Sequence, residues 1–97
     1  KDFQIKHMGN RIELGEIENA MSSLENVDMC CCLYNNKNDQ IVAIYTGTLE
    51  KKEMAKILMK KLPRYMLPNV YNQRESMPLN LNGKIDRIQL KKEYFEK

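Results

Sequence analysis

Apolar residues recur along this chain with two different periods, which predict helices in some segments and strands in others. Two segments repeat apolar residues at helical spacing, so that one face returns every three or four positions, and a third segment is predicted to form a short terminal helix. The apolar residues of these segments are Ile17, Ala20, Met21 and Leu24; Met54, Ile57, Leu58 and Leu62; and Ile88, Leu90 and Tyr94. The first helix is predicted between Glu13 and Leu24, and the second begins after Thr48 as its N-cap and stops at Pro63.

Other segments alternate between apolar and polar residues, which is the strand period. Residues 1–13 predict two short strands around a turn at Gly9, which tolerates positive φ. Residues 27–34 and 41–45 predict a second hairpin with one face packed inward, and residues 70–73 add a strand. The predicted fold is therefore α+β, a small antiparallel sheet with helices packed on one face, preceded by a short β-hairpin.

Composition limits the chain to one small domain. Its 97 residues, 42% of them hydrophobic, support a single core, and a large buried active site is not expected. Because the chain begins at Lys1 rather than methionine, we expect a fragment of a longer protein.

Charge and hydropathy disfavour two partner classes. The 16 basic and 13 acidic residues are interspersed and give a net charge of +3, whereas nucleic-acid binders concentrate their basic residues. No apolar stretch approaches the roughly 20 residues of a membrane span, and no signal peptide precedes the patterned sequence. We expect a soluble, cytoplasmic protein that binds no nucleic acid and does not insert into membranes.

The three cysteines, Cys30, Cys31 and Cys32, are consecutive. They cannot present the two-residue spacing of a zinc knuckle, and the single histidine, His7, is distant in sequence. We therefore predict no metal site, and interpret these thiols as small packing residues in a reducing compartment.

The candidate chemistry lies at the two ends of the chain. Lys84 follows Asn82–Gly83, a pair that tolerates left-handed backbone and can hold a tight turn with the next side chain pointing outward. Taken alone, Lys84 is most simply a surface lysine, yet a flexible ammonium can also reach into another domain's cleft and contact several oxygens.

The opening hairpin carries further cations. Lys6 and Arg11 flank Gly9, which permits close backbone approach to a thin ligand. Without wider context this is a basic, solvated turn. His7 has no nucleophile at a suggestive spacing, so we predict a surface or turn position and no catalytic role.

Read together, the two ends resemble the C-terminal subdomain of the adenylate-forming superfamily, especially amino-acid-activating adenylation domains and standalone carrier-protein ligases. The resemblance covers almost the whole chain, and the order and spacing of its pieces make it specific. The matching pieces are residues 1–6 with Gly9, Arg11–Glu13 with Gly15–Glu18, Leu62–Pro68, and Asn82–Arg87.

The resemblance implies that the chain is a mobile lid on a large N-terminal domain that binds ATP, Mg²⁺ and a carboxylic acid. It implies a hinge at Asp2, and it makes Lys84, supported by Asn82 and Gly83, the catalytic lysine of adenylation. Lys6, Gly9 and Arg11 would face the active site, and the phosphopantetheine thiol of a carrier protein, in the thioester step. The expected organisation is a hinge and hairpin over residues 1–13, an α+β core over 14–75, and the lysine loop with a terminal helix over 76–97.

The chain departs from the family pattern at three points. The arginine that usually precedes the position of Lys1 lies outside the chain, so the hinge motif is incomplete. Asn80 and Leu81 replace a frequent threonine and proline, which we expect to loosen the loop before Lys84, and Leu14 replaces a frequent proline ahead of the first helix.

Two alternatives remain open from the sequence. One is the lid of an acyl-CoA or aryl-CoA synthetase, which uses the same chemistry with coenzyme A as acceptor. The other is a small basic binding module without catalysis, whose binding would depend steeply on salt.

Overall fold

The computed structural model of this protein describes residues 4–95, an α+β arrangement of five strands and three helices within that range. The strands are β1 (Gln4–His7), β2 (Asn10–Glu13), β3 (Val27–Asn35), β4 (Gln40–Gly47) and β5 (Val70–Arg74). The helices are α1 (Leu14–Ser22), α2 (Lys51–Lys61) and α3 (Arg87–Phe95), and a 3-10 turn spans Arg64–Met66.

The opening hairpin forms as predicted. β1 and β2 pair antiparallel, and the two-residue connection has positive φ at both positions, +53° at Met8 and +78° at Gly9. This combination identifies a type I′ turn, whose twist matches that of the flanking strands. The Asn10 side chain donates a hydrogen bond to the Met8 carbonyl at 3.1 Å, which helps hold methionine in a conformation that it rarely adopts.

The main sheet contains β3, β4 and β5 in that order. β3 and β4 form the predicted antiparallel hairpin, but β5 pairs with β4 in parallel, so the prediction of a wholly antiparallel sheet is wrong at this strand. The reason is the connection: α2 lies between β4 and β5 and carries the chain back to the edge where β4 began.

Helices cover both faces of this sheet rather than the single face predicted. The larger buried cluster joins the sheet to α1 and α2 and includes Ile17, Cys32, Tyr45 and Leu58. A second buried cluster on the opposite face joins the sheet to α3 through residues that include Leu90.

Because both faces are covered, β3 and β4 are buried on both sides at their centres, where one inward face was predicted. Adjacent cysteines therefore pack in different clusters, Cys31 beneath α3 and Cys32 beneath α1, and both are fully buried. The interpretation of the thiols as packing residues is confirmed for Cys31 and Cys32, and Cys30 is half-buried against the larger cluster.

Helix ends differ from the sequence expectation in detail. The N-cap of α2 is Glu50 rather than Thr48, whose backbone N–H instead donates to the Asn26 carbonyl at 2.9 Å. α2 stops before Pro63 as predicted. In α3, Leu90 is buried, but Ile88 is 71% exposed and does not seat the helix.

No helix within residues 4–95 has the length and apolar character that crossing a bilayer requires.

Candidate functional site

The loop that carries Lys84 is a small ordered turn between β5 and α3. Leu79 and Ile85 form an antiparallel bridge at its base, the Asn80 N–H donates to the Lys84 carbonyl at 2.8 Å, and the Asp86 N–H donates to the Pro78 carbonyl at 2.8 Å. At the tip, Gly83 has a φ of +78°, which glycine adopts without strain. The backbone on both sides of Lys84 is therefore fixed.

Asn80 organises this loop. Its side-chain oxygen accepts hydrogen bonds from the backbone N–H groups of Asn82, at 2.9 Å, and of Lys84, at 3.1 Å. An asparagine side chain that accepts such bonds closes a turn in the way that a backbone carbonyl group otherwise would. The expectation that Asn80 loosens the loop is therefore wrong.

The Lys84 side chain is exposed at this tip. Within residues 4–95 it forms no ion pair or side-chain hydrogen bond, so its ammonium is available to an outside partner. Apolar side chains surround it in sequence, since Leu79 is 49%, Leu81 106% and Ile88 71% exposed. A cation among exposed apolar groups is typical of a surface that meets another body.

The opening hairpin presents its two cations together. Lys6 and Arg11 are directly opposite in the β1–β2 register, and both are exposed. Side chains directly opposite in an antiparallel pair lie on the same face, and like charges there repel. Glu13, which accepts a hydrogen bond from Gln4, lies farther from the turn on this face, so the end near Gly9 is the part that favours an anion.

The other face of the hairpin packs inward and contains His7. This residue is 3% exposed, so the prediction of a surface position is wrong. Its Nδ1 lies 2.9 Å from a carboxylate oxygen of Asp39, and the Tyr34 hydroxyl donates to that same oxygen. The cluster fastens the hairpin to the β3–β4 turn.

The hydrogen bonds in this cluster alter two acidities. Those from Tyr34 and His7 lower the pKa of the Asp39 carboxyl, and the bond to Asp39 raises the pKa of the Tyr34 hydroxyl. These hydrogen bonds therefore favour the charged form of the Asp39 carboxyl. No catalytic role follows from these contacts.

A second ionic cluster, which the sequence analysis did not identify as a unit, lies behind the lysine loop. Arg87, the first residue of α3, pairs with Glu18 of α1 through two hydrogen bonds, Nη1 to Oε2 at 2.8 Å and Nη2 to Oε1 at 3.0 Å. The hydrogen bonds that Arg87 donates to the Glu18 carboxylate raise the pKa of Arg87. Both residues belong to motifs that carry the family resemblance, so the motifs held the signal, although spacing alone did not pair them.

A cavity of about 220 Å³ lies beside Arg87, between β1, β3 and α3. Ligand pockets typically measure roughly 300–1,000 Å³. This cavity is thus too small for a nucleotide, and Lys6, Arg11 and Lys84 are exposed and do not line it.

The structure does not bring the two candidate groups into one pocket. Lys84 is at the tip of the β5–α3 loop, while Lys6, Gly9 and Arg11 belong to the separate β1–β2 sheet. Asp2, the predicted hinge residue, lies outside the described residues. The geometry offers two exposed cationic surfaces on one domain.

Comparison with known proteins gives these surfaces a context. No protein-family model matches the chain. Zwittermicin A synthase ZmaJ from Bacillus cereus is 38% identical over 91 residues, which cover 89% of this chain and 17% of that protein. The chain thus spans less than a fifth of this relative.

Two solved structures contain a domain with the same fold as this chain. The chain superposes with a TM-score of 0.87 on NpsA from Klebsiella oxytoca, solved in complex with 3-hydroxyanthranilyl-AMSN, at 23% identity and covering 95% of this chain and 19% of that one. It superposes with a TM-score of 0.73 on AB3403, a four-domain nonribosomal peptide synthetase bound to AMP and glycine. That alignment has 37% identity and covers 91% of this chain and 7% of AB3403.

The α+β fold, the four sequence motifs, of which the last forms the ordered lysine loop, and relatives among peptide synthetases agree with one another, and the chain belongs to the adenylate-forming superfamily as a C-terminal subdomain.

Proposed function

We propose that this chain is the lid of an amino-acid-activating ligase. The whole enzyme would form an aminoacyl adenylate from ATP and an amino acid, and would transfer the aminoacyl group to the phosphopantetheine thiol of a carrier protein. The N-terminal domain of the same polypeptide would hold most of the ATP, the Mg²⁺ and the amino acid. The domain alone is not expected to catalyse either step.

The observation that carries the proposal is the position of Lys84, an exposed ammonium on a backbone that hydrogen bonds fix. As a carboxylate attacks the α-phosphate of ATP, negative charge develops on the nonbridging and leaving oxygens. An ammonium that is already aimed at those oxygens stabilises the transition state more than the ground state. Lys84 would supply this charge.

The hairpin supports a role in the second step. Lys6 and Arg11 present two cations on one face, which suits the phosphate that joins pantetheine to a carrier protein. Within the described part of the chain, a Cβ on Gly9 would meet nothing within 4 Å, so packing in this domain does not require glycine there. Its φ of +78° and close approach to an outside ligand are the remaining reasons for glycine.

Rotation of the lid about Asp2 would alternate the two surfaces. In one orientation Lys84 would face the nucleotide, and in the other the Gly9 hairpin would line the passage for the thiol. Because the two surfaces are separate in the fold, one lid could serve both half-reactions without collision between them.

The test is Lys84→Ala in the complete enzyme. We expect ATP–pyrophosphate exchange to fall about 10²-fold, equivalent to about 3 kcal/mol, because one pre-aimed contact is lost from the transition state. Thioester formation from supplied aminoacyl adenylate should remain largely intact. The matched control is Lys56→Ala, which removes an exposed lysine from the outer face of α2 and should leave both rates unchanged.

Near wild-type exchange in the Lys84→Ala enzyme would refute the role of Lys84. The acceptor is tested separately, by comparing transfer to free coenzyme A with transfer to a carrier protein. Efficient transfer to coenzyme A alone would assign the chain to an acyl-CoA or aryl-CoA synthetase instead.

A further inference from the structure

The ion pair between Glu18 and Arg87 joins parts of the chain that are 69 residues apart. Both guanidinium nitrogens take part, at 2.8 and 3.0 Å, and the side chains are 16% and 28% exposed, respectively. Two parallel N–H···O bonds fix the relative orientation of the partners, which a single contact between exposed charges does not. Fully exposed ion pairs contribute little to protein stability, and this pair differs from them because both of its side chains are partly buried.

Both side chains also contact β3. The Cys32 N–H donates to Glu18 Oε2 at 2.7 Å. Arg87 Nη1 lies 3.1 Å from the Cys31 sulfur and 3.4 Å from the Cys32 carbonyl oxygen. α1, β3 and the beginning of α3 therefore meet at one point.

This point lies at the base of the lysine loop. Arg87 follows Lys84 by three residues, and a chain of three residues reaches at most about 10 Å. Between them, the Asp86 carboxylate accepts a hydrogen bond from the Gln89 N–H at 3.0 Å, and so caps α3. A displacement of Arg87 would therefore pass directly to Lys84.

The opposite end of α3 is fastened by different residues. Arg74 of β5 pairs with Glu93 at 2.6 Å, and the Tyr94 hydroxyl donates to the Asn72 side chain at 2.8 Å. The two ends thus carry ion pairs of the same chemical kind, of which only one adjoins the loop.

We infer that Glu18 and Arg87 are positioning residues for Lys84, which hold its loop at the orientation that adenylation requires. Glu18 lies on α1, which directly follows the hairpin with Lys6 and Arg11, so the pair also links the lysine loop to the helix next to that hairpin. This inference rests on the proposed function. Its consequence is that loss of the pair lowers the adenylation rate through Lys84 and through no other group.

A double-mutant cycle in the complete enzyme tests this dependence. Glu18→Gln removes the charge and retains the shape, and Arg87→Lys retains the charge and removes the two-pronged geometry. For each we expect kcat for ATP–pyrophosphate exchange to fall about 10-fold with little change in KM for ATP, because a misplacement below 1 Å costs somewhat less than 10²-fold. Transfer from supplied adenylate should persist.

The decisive measurement combines each change with Lys84→Ala. If the pair acts through Lys84, the double variants lose no further exchange activity relative to Lys84→Ala alone. An equal additional 10-fold loss in that background would overturn the inference, since the pair would then act by a route independent of Lys84. Unchanged kcat in both single variants would overturn it as well.

Glu93→Gln is the matched control, because it breaks the ion pair at the distant end of the same helix. It should leave exchange kcat nearly unchanged, and it should lower thermal stability less than Glu18→Gln does, because Glu93 is more exposed and accepts one bond from its arginine. An equal loss of kcat in Glu93→Gln would reduce the effect to general loosening of α3 and overturn the inference. If Glu18→Gln does not fold, Arg87→Lys carries the same cycle.

Failure of the inference and failure of the proposed function are distinguishable. Undiminished exchange in Lys84→Ala alone would refute the proposed function. A strong effect of Lys84→Ala without an effect of the pair, or with an additive one, would refute only the positioning role.

Discussion

Asn80→Ala tests whether a single side chain orders the lysine loop. The change removes the acceptor of two hydrogen bonds, from the Asn82 N–H at 2.9 Å and the Lys84 N–H at 3.1 Å. It leaves the backbone bonds from the Asn80 N–H to the Lys84 carbonyl, at 2.8 Å, and from the Gly83 N–H to the Asn80 carbonyl, at 2.9 Å. Loss of the two side-chain bonds should make the loop open more often, while the remaining backbone bonds and the rest of the domain keep their fold.

The magnitude follows from the two lost bonds. A neutral hydrogen bond contributes about 0.5–1.5 kcal/mol net, so two contribute about 1–3 kcal/mol. The loop is exposed, and water replaces part of each bond, so we take the lower half of this range. About 1.4 kcal/mol corresponds to a tenfold change in the ratio of open to closed loop.

Amide hydrogen exchange on the 97-residue chain measures this ratio directly. We expect the Asn82 and Lys84 amides to exchange about 10-fold faster in Asn80→Ala, because their acceptor is gone. If Lys84 has the proposed role, ATP–pyrophosphate exchange by the complete enzyme should fall about 3- to 10-fold, since the ammonium would spend less time in its aimed position.

Two controls sharpen the test. Asn80→Asp retains an acceptor oxygen and should keep exchange of both amides slow. Asn82→Ala removes a side chain that forms no hydrogen bond within residues 4–95, and it should leave the Lys84 amide unaffected. Wild-type protection of both amides in Asn80→Ala would refute the conclusion that this side chain orders the loop.

Two further predictions concern the core. Gly47 has a φ of +124°, and a Cβ there would lie 2.2 Å from the Asn26 carbonyl oxygen, so Gly47→Ala should lower the free energy of unfolding, measured by denaturant titration, by about 3 kcal/mol. At Gly15 a Cβ would meet nothing within 4 Å among the described residues, so Gly15→Ala should instead raise this free energy by about 0.5–1 kcal/mol. Equal losses of stability in the two variants would contradict the argument. Burial raises the pKa of Cys30 and of Cys31 from 9.0 to about 11. At pH 8 the thiolate fraction of these residues should therefore be about 100-fold lower in the native chain than in the unfolded chain, and the rate of alkylation by iodoacetamide should be lower by the same factor. This rate should rise with pH up to about pH 11. Equal labelling rates in the native and urea-unfolded chains would contradict the burial of these thiols.

Local periodicity determined the elements of this protein. The stripe of Ile17 and Met21 predicted α1, and alternation predicted both hairpins, because each pattern reports only the face that one element buries. The same rule could have placed His7 inside, since it lies two residues after Ile5 and so on the same face of β1. Histidine is more often exposed, but here the Asp39 carboxylate bonds to one nitrogen of the buried ring, and the Tyr34 hydroxyl in turn donates to that carboxylate.

The motifs also determined which residues are candidates for chemistry. The order of Asn82, Gly83 and Lys84 predicted a tight turn, since such a turn restricts residue types, and the family resemblance made these three residues candidates for chemistry. The sequence did not show that Asn80 orders this turn. Asn80 stands where the family often has threonine, and only the structure shows that its side-chain oxygen accepts hydrogen bonds from two backbone N–H groups.

Tertiary structure alone decided the arrangement of these parts. Whether β5 runs parallel to β4 depends on the path of α2, and whether both sides of β3 are buried depends on α3 packing opposite α1. The pairing of Glu18 with Arg87 joins two residues that are 69 positions apart. A local pattern records which face of an element avoids water, but a contact between distant elements depends on how the whole chain closes, and that information is spread over every segment between them.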